Sequence, residues 1–291
     1  MRNSLLFAAA VAFATPAAAQ RDFSNIEIET TKVADGLYML VGAGGNIGLS
    51  VGDDGAFVID DQFAPLNDKI MAAIKDVTDK PVEFVLNTHF HGDHTGGNEA
   101  FGKAGAHIVA HDNVRKRLDA DERVAEVALP VITFSKTITF YRNGQKIYVF
   151  HPKNAHTDGD SLVYFPDLNA FHLGDVMFKD NYPFIDVDSG GSINGAIAAL
   201  KKVYKIADDD TKIIPGHGSL STRADVKTLY ELLESVISRI QPLIDEGLDE
   251  DAVVAKDPLA DTNEQYGQNF IIGEFMTRTA YRSLIKDSAD E

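Results

Sequence analysis

The chain has 291 residues, with 44 acidic against 27 basic side chains and a formal net charge of −17. An ordinary mix of 44% hydrophobic and 24% charged residues excludes a largely disordered, collagenous or many-span membrane protein. The acidic balance argues against a nucleic-acid partner, because affinity for a phosphate backbone comes from clustered Lys and Arg. There is no cysteine, so a disulfide framework, a thiolate nucleophile and a Cys metal ligand are excluded. Any metal must sit on histidines and carboxylates.

Arg2 gives a short positive start, and Leu5 to Ala14 is an unbroken apolar run. Pro16 breaks it, and Ala17-Ala18-Ala19 is a small-residue cleavage box. The run is shorter than the ~20 residues needed to span a bilayer. Residues 1–19 are therefore expected to be a secretory signal peptide rather than a membrane anchor. Export would place the mature chain in the periplasm of a host with two membranes.

Short β-like runs follow. Ile26, Ile28 and Thr30 line one face of a first strand, Leu37–Val41 forms a second, and Ile47–Val51 a third. Gly42 to Asn46 is a permissive loop between them, expected at the edge of a pocket. Asp53-Asp54-Gly55 reads as a hairpin turn into Ala56–Asp60. Pro65 to Val77 has helical spacing, with Ile70, Ile74 and Val77 on one side. Val82–Leu86 and Ala106–Ala110 are strands, Asn113–Leu118 a short basic helix, and Glu122–Leu129 a helix ending at Pro130. Strand-like runs return at Lys136–Phe140, Lys146–Phe150, Ser161–Phe165 and Ala170–Leu173. A helix is expected over Ile193–Tyr204, a strand over Lys212–Ile214, and a long amphipathic helix from Ser221 to Ile240, stopped by Pro242. The acidic stretch Asp245–Asp261 reads as a solvated connection, and Asn269–Ile285 as a last helix with Ile271, Phe275 and Met276 as its apolar stripe. Two β-rich blocks, each followed by helices, predict an α/β (α+β) fold, a four-layer αββα sandwich rather than a doubly wound sheet. Residues 20–291 are expected to make one domain with a helical extension over about 246–291.

The strongest chemical signal is Thr88-His89-Phe90-His91-Gly92-Asp93-His94, just after the strand ending at Leu86. Strand ends are where α/β sites usually lie. The chain has nine histidines, and three of them share six positions with an aspartate, so the cluster is not a chance grouping. Burying such a set together without a cation would be costly. Three weaker signals also follow strands: His156 in Ala155-His156-Thr157-Asp158-Gly159-Asp160, Asp175 in Gly174-Asp175, and His217 in Pro215-Gly216-His217-Gly218. The remaining histidines read as structural: His107 and His111 as packing or capping residues, His151 and His172 as supports. Lys179 reads as a surface lysine, and Asn181 to Phe184 as a possible pocket wall.

With these blocks in this order, the sequence resembles the metallo-β-lactamase superfamily, over nearly all of the mature chain to about Ile240. The resemblance implies the αββα fold and a two-zinc site. His89, His91 and His156 would bind the first ion, Asp93, His94 and His217 the second, and Asp175 could bridge. Nitrogen and carboxylate ligands suit zinc, and also iron or manganese. Zinc lowers the pKa of a bound water to about 7. The resulting hydroxide would attack a carbonyl, with Asp93 orienting it and relaying a proton. The best-known lactamase group has a cysteine where this chain has Asp175 and lacks His94. The aspartate is instead typical of glyoxalase II-like thioesterases and lactonases. The implied activity is thus zinc-dependent hydrolysis of a small molecule: opening of a cyclic amide as in a β-lactamase, or else cleavage of a lactone or thioester. A metal-binding protein without turnover has no use for Asp93. Mass spectrometry of the exported protein is expected to find Gln20 as its first residue; a product that keeps Met1 in the cytoplasm refutes the leader.

Overall fold

A computed structural model describes residues 22–289, so the expected leader lies outside the described residues. Twelve strands form two sheets. The first runs in chain order from β1 (Glu29–Ala34) through β2 (Leu37–Val41), β3 (Ile47–Gly52), β4 (Gly55–Ile59), β5 (Val82–Leu86) and β6 (His107–His111) to β7 (Ile132–Phe134). The second holds β8 (Thr137–Arg142), β9 (Gln145–Phe150), β10 (Leu162–Phe165), β11 (Ala170–His172) and β12 (Lys212–Ile214), in the spatial order β12-β11-β10-β9-β8.

Period-two alternation explains the layers. In β4, Phe57 and Ile59 face Val149 and Val163 of the second sheet, while Ala56 and Val58 face a helical layer with Ile70, Ile74 and Phe101. That layer is α1 (Asn67–Val77), with α2 (Gly92–Thr95) and α3 (Asn98–Lys103); α4 (Asp112–Asp119) follows β6. In the second sheet, Ala170 and Ile214 point to the central core, and Phe171 and Ile213 to the opposite helices. Those are α5 (Ile193–Ile206), α6 (Arg223–Asp245), α7 (Glu250–Ala255), α8 (Ala260–Tyr266) and α9 (Gly273–Ala289). The result is the expected αββα sandwich. None of the described helices is long and apolar enough to cross a membrane.

Strand direction places the site. β4 and β5 are parallel, so their C-terminal ends share an edge. β11 and β12 are parallel, and β9 runs with them because each pairs antiparallel or parallel through β10 and β11. The loops that leave these five strands meet at one end of the sandwich.

Four local expectations are corrected. Strand β1 begins at Glu29; Ile26 and Ile28 instead pack on the α1 side. The helix expected over Glu122–Leu129 is a single 3-10 turn, Glu126–Ala128, and Ile132–Phe134 after it is a strand. Helix α6 continues through Pro242 to Asp245. The carbonyl that a proline leaves unbonded belongs to Ser238, an exposed residue on the solvent side of the helix, while Ile240, Leu243 and Ile244 keep the last turns on the core. The acidic Asp245–Asp261 stretch is not a bare connection: Asp249 caps α7, Glu250 pairs with Arg278 and Arg282, and Val253 and Leu259 are buried.

Phe57, 1% exposed, has its ring 5.0 Å from that of Phe140 and 5.8 Å from that of Phe84. Truncation to Ala is expected to cost about 3–5 kcal/mol. Tyr141→Ala, at a side chain 76% exposed, should stay within about 0.5 kcal/mol. Chemical denaturation of both variants checks the assignment of the central core.

Candidate metal centre

The loop after β5 delivers His89 and His91, and the one-turn helix α2 delivers Asp93 and His94. The loop after β9 brings His156, the turn after β11 brings Asp175, and the turn after β12 brings His217. All seven residues read from the sequence converge. They form two groups whose ligand atoms lie within 4.8 Å of one another: His89, His91, His156 and Asp175, and Asp93, His94 and His217.

The outward nitrogens fix what the inward ones can do. His156 Nδ1 donates to the Phe184 carbonyl (2.7 Å), and His91 Nε2 donates to Asp186 Oδ2 (3.0 Å). The Thr88 hydroxyl donates to Asp60 Oδ2, so at 3.1 Å it accepts from His89 Nδ1. Each partner is an acceptor, which leaves the other nitrogen of each ring as a lone pair. These three lone pairs face one another: His91 Nδ1 lies 3.0 Å from His89 Nε2 and 3.1 Å from His156 Nε2. Three acceptors at that spacing repel unless a cation sits among them. His94 is held in the same way on its outer side, with Nδ1 on Asp60 Oδ2 at 2.8 Å, and its buried Nε2 faces Asp175 Oδ1 at 3.0 Å. The donor set therefore fits metal ions.

The electrostatics of the two groups differ. Burial drives His89 well below the usual imidazole pKa and His156 down to about 4, so these two rings are neutral. Burial also opposes charge on His94, but Asp175 and Asp60 outweigh it and raise its pKa well above normal. His217 is likewise raised against burial, to about 9, mainly by Asp175. Burial disfavours the Asp175 anion, yet His94 and His217 hold its pKa well below the carboxylate range. In the metal-free protein this second group holds protons where bound cations replace them.

Close packing holds the ligands. A Cβ at Gly45 would lie 2.0 Å from the His94 ring, and one at Gly216 would lie 2.2 Å from Asp175 Oδ1, so both positions require glycine. The Gly42–Asn46 loop is therefore a support under His94 more than an edge; among its residues only Ala43 lines the cavity. Asn46 Nδ2 donates to the Pro215 and Gly218 carbonyls at 2.9 and 2.8 Å, stitching the first sheet to the His217 turn. Asp160 accepts from the backbone N–H of His156 and Thr157. His111 caps α4, and His172 Nε2 donates to the Asn46 carbonyl, matching their structural reading. Lys179 pairs with Asp225 and turns away from the metal ligands.

Sequence reading missed Asp60, Asp186 and Asn46. Asp60-Asp61 directly after an apolar strand was an available signal, since two acids at the end of a buried strand need partners. Nothing in the sequence marks Asp186. Asp186→Ala is expected to weaken ion binding at His89, His91 and His156 by about 10–100-fold, and Asp60→Ala to do the same at His94. Competition with a chromophoric chelator measures both; unchanged affinity in Asp186→Ala refutes its role in holding His91.

The model of the metallo-beta-lactamase superfamily matches residues 41–217. Hydroxyacylglutathione hydrolase of Polaromonas sp. is 28% identical over 159 residues, 53% of this chain and 55% of its own. The enzyme of the same name from Nitrosococcus oceani is 32% identical over 139 residues, 46% of this chain and 47% of its own. The chain thus spans about half the length of the curated relatives it matches. Among solved structures, a metallo-beta-lactamase from Pontibacter korlensis superposes with a TM-score of 0.62 at 20% identity, covering 72% of this chain and 99% of that one. The DIM-1 metallo-beta-lactamase gives 0.61 at 19%, with the same coverage. These two likenesses bear on the fold. From the matched family model, which spans every one of the seven converging residues, the chain belongs to the metallo-β-lactamase superfamily of metal-dependent hydrolases.

Proposed function

We propose that the chain is a zinc hydrolase holding two ions, and that it cleaves the acyl bond of a small-molecule thioester or lactone. The observation that carries this reading is the placement of Asp175. Its Oδ2 lies 3.8 Å from His89 Nε2 and 3.7 Å from His156 Nε2, while its Oδ1 lies 3.0 Å from His94 Nε2 and 3.4 Å from His217 Nε2. One carboxylate offers an oxygen to each nitrogen group, as a bridge between two ions requires. The nitrogen and carboxylate donors suit zinc.

Two ions held by the seven converging residues would supply an acidified water and polarise the scissile carbonyl. The protein residues do the rest. Asp175, 5% exposed and strongly ionised, keeps the two groups at fixed separation. Asp93 is 25% exposed and opens onto the cavity, so it reaches the reacting atoms. It orients the attacking water and carries the proton to the leaving group. The names of the two curated relatives support an acyl group carried on sulfur, with a thiol as the leaving group. Opening of a cyclic amide is the second reading; the cavity of about 560 Å³ has room for a fused bicycle, and departure of an amine needs the proton Asp93 carries. We place the mature chain after cleavage at Ala19, exported, as one hydrolase domain with its helical extension.

Elemental analysis of gently purified protein is expected to return about two zinc ions per chain. Asp93→Asn should retain metal and lose at least about 100-fold in turnover, because an amide coordinates but relays no proton. Asp175→Ala should lose the ion at His94 and His217 first. Full metal content and full turnover in Asp175→Ala overturns the bridge. Assays against a thioester, a lactone and a β-lactam rank the readings.

A further inference from the structure

The chemistry of the cavity beyond the ligands points to what it accepts. Phe63, Phe178, Tyr182, Phe184, Phe270 and Ile271 make the large apolar part of its wall. Its polar contribution apart from the ligand groups is two neutral amides, Asn181 and Asn269. None of the described residues lining it is a lysine or arginine. The nearby cations are engaged elsewhere. Lys179 is held by Asp225, with Asp180 3.7 Å away. Arg117, on the other side of His91, is clamped by both oxygens of Asp158 at 2.9 Å and by the Ser189 carbonyl. The formal charge of −17 adds a long-range field that repels anions.

The apolar wall is continuous with the ligands. The Phe184 ring lies 5.7 Å from His91 and 5.6 Å from His156, and Phe270 lies 6.4 Å from Phe184. Phe270 is nonetheless 82% exposed, an aromatic ring presented to solvent at the cavity rim. A ligand lying over it recovers that apolar area. A carboxylate on the substrate would find positive charge only at the ligand groups, where the scissile carbonyl itself has to sit.

Resting on the reading of the site as an acyl hydrolase, we propose that its substrates are uncharged esters, thioesters or lactones carrying an aryl or alkyl group, and that Phe270 and Phe184 select them. Substrates with a carboxylate, which include glutathione thioesters and bicyclic β-lactam acids, are disfavoured by the same wall.

A matched series of 4-nitrophenyl esters tests this on the zinc-loaded protein: the 4-phenylbutyrate, the butyrate and the hemisuccinate. Values of kcat/KM are expected to fall in that order, by about tenfold or more between the first and last, with the difference mainly in KM. Phe270→Ser should raise KM for the phenylbutyrate about tenfold, and by less for the shorter butyrate. Phe270→Arg should narrow the gap to the hemisuccinate. Equal or faster hydrolysis of the hemisuccinate, or an unchanged phenylbutyrate KM in Phe270→Ser, overturns the inference and leaves the hydrolase reading standing. Calorimetry with unreactive ketones separates the two: tighter binding of 4-phenyl-2-butanone than of 4-oxopentanoate supports the inference even where no ester, thioester, lactone or β-lactam is turned over, an outcome that refutes the hydrolase reading. No preference between the ketones overturns the inference.

Discussion

Three imidazole lone pairs held about 3 Å apart are the constraint on which this structure turns. His89, His91 and His156 cannot relieve it by flipping tautomers, because the outer nitrogen of each faces an acceptor. An unsatisfied buried polar group costs about 1–3 kcal/mol. A protein that builds three into one point needs a cation there, or a scaffold stiff enough to hold the arrangement until one arrives. The outer partners come from separate parts of the chain: the Thr88 hydroxyl backed by Asp60, the Asp186 carboxylate and the Phe184 carbonyl. Asp60 also holds His94, so one buried side chain at the end of β4 sets rings in both ligand groups.

The scaffold supplies that stiffness through strand direction. Parallel pairing of β4 with β5, and of β11 with β12, brings four chain exits to one edge, and each exit carries part of the site. The two sheets must then be locked in register at that edge. Asn46 does so with side-chain bonds to the loop around His217 and a backbone bond to Gly216. His172 closes the same seam from β11. Residues that read as a permissive loop and a structural histidine are thus the joints between the layers that carry the two halves of the site.

What was legible in the sequence follows from range. The ligands His89 to His94 share one turn after one strand, so spacing alone exposes them; His156, Asp175 and His217 repeat the strand-then-ligand pattern. The layers were legible because two β-rich blocks are each followed by helices. Asp186 was not, because its function is created by a contact 95 residues away in sequence. Local propensity failed where tertiary packing overrode it. Pro242 is tolerated because Ser238 faces water, and the acidic Asp245–Asp261 stretch is ordered because its charges cap α7 and meet Arg278 and Arg282. Glu122–Leu129 has helical composition, yet it is drawn across the end of α3 as a single 3-10 turn.

This ordering of the C-terminal helices matters for selectivity. The matched family region ends at residue 217, and it holds all seven converging residues, Asp93 and Asp175 among them. Asn269, Phe270 and Ile271 lie beyond it, between α8 and α9. They reach the cavity because Ile271 and Met276 anchor in the core of the second sheet's helices, and because Tyr182 bonds Thr262 at 2.6 Å. A segment anchored at both ends presents Phe270 outward at a fixed height above the ligands. The converging residues thus all lie inside the matched region, whereas the proposed selecting wall is shared between that region, through Phe184, and the later segment, through Phe270. On that reading, changes in the 267–272 segment alter which acyl group is accepted without moving a ligand, whereas changes at Phe184 also remove a ring that lies 5.7 Å from His91 and 5.6 Å from His156.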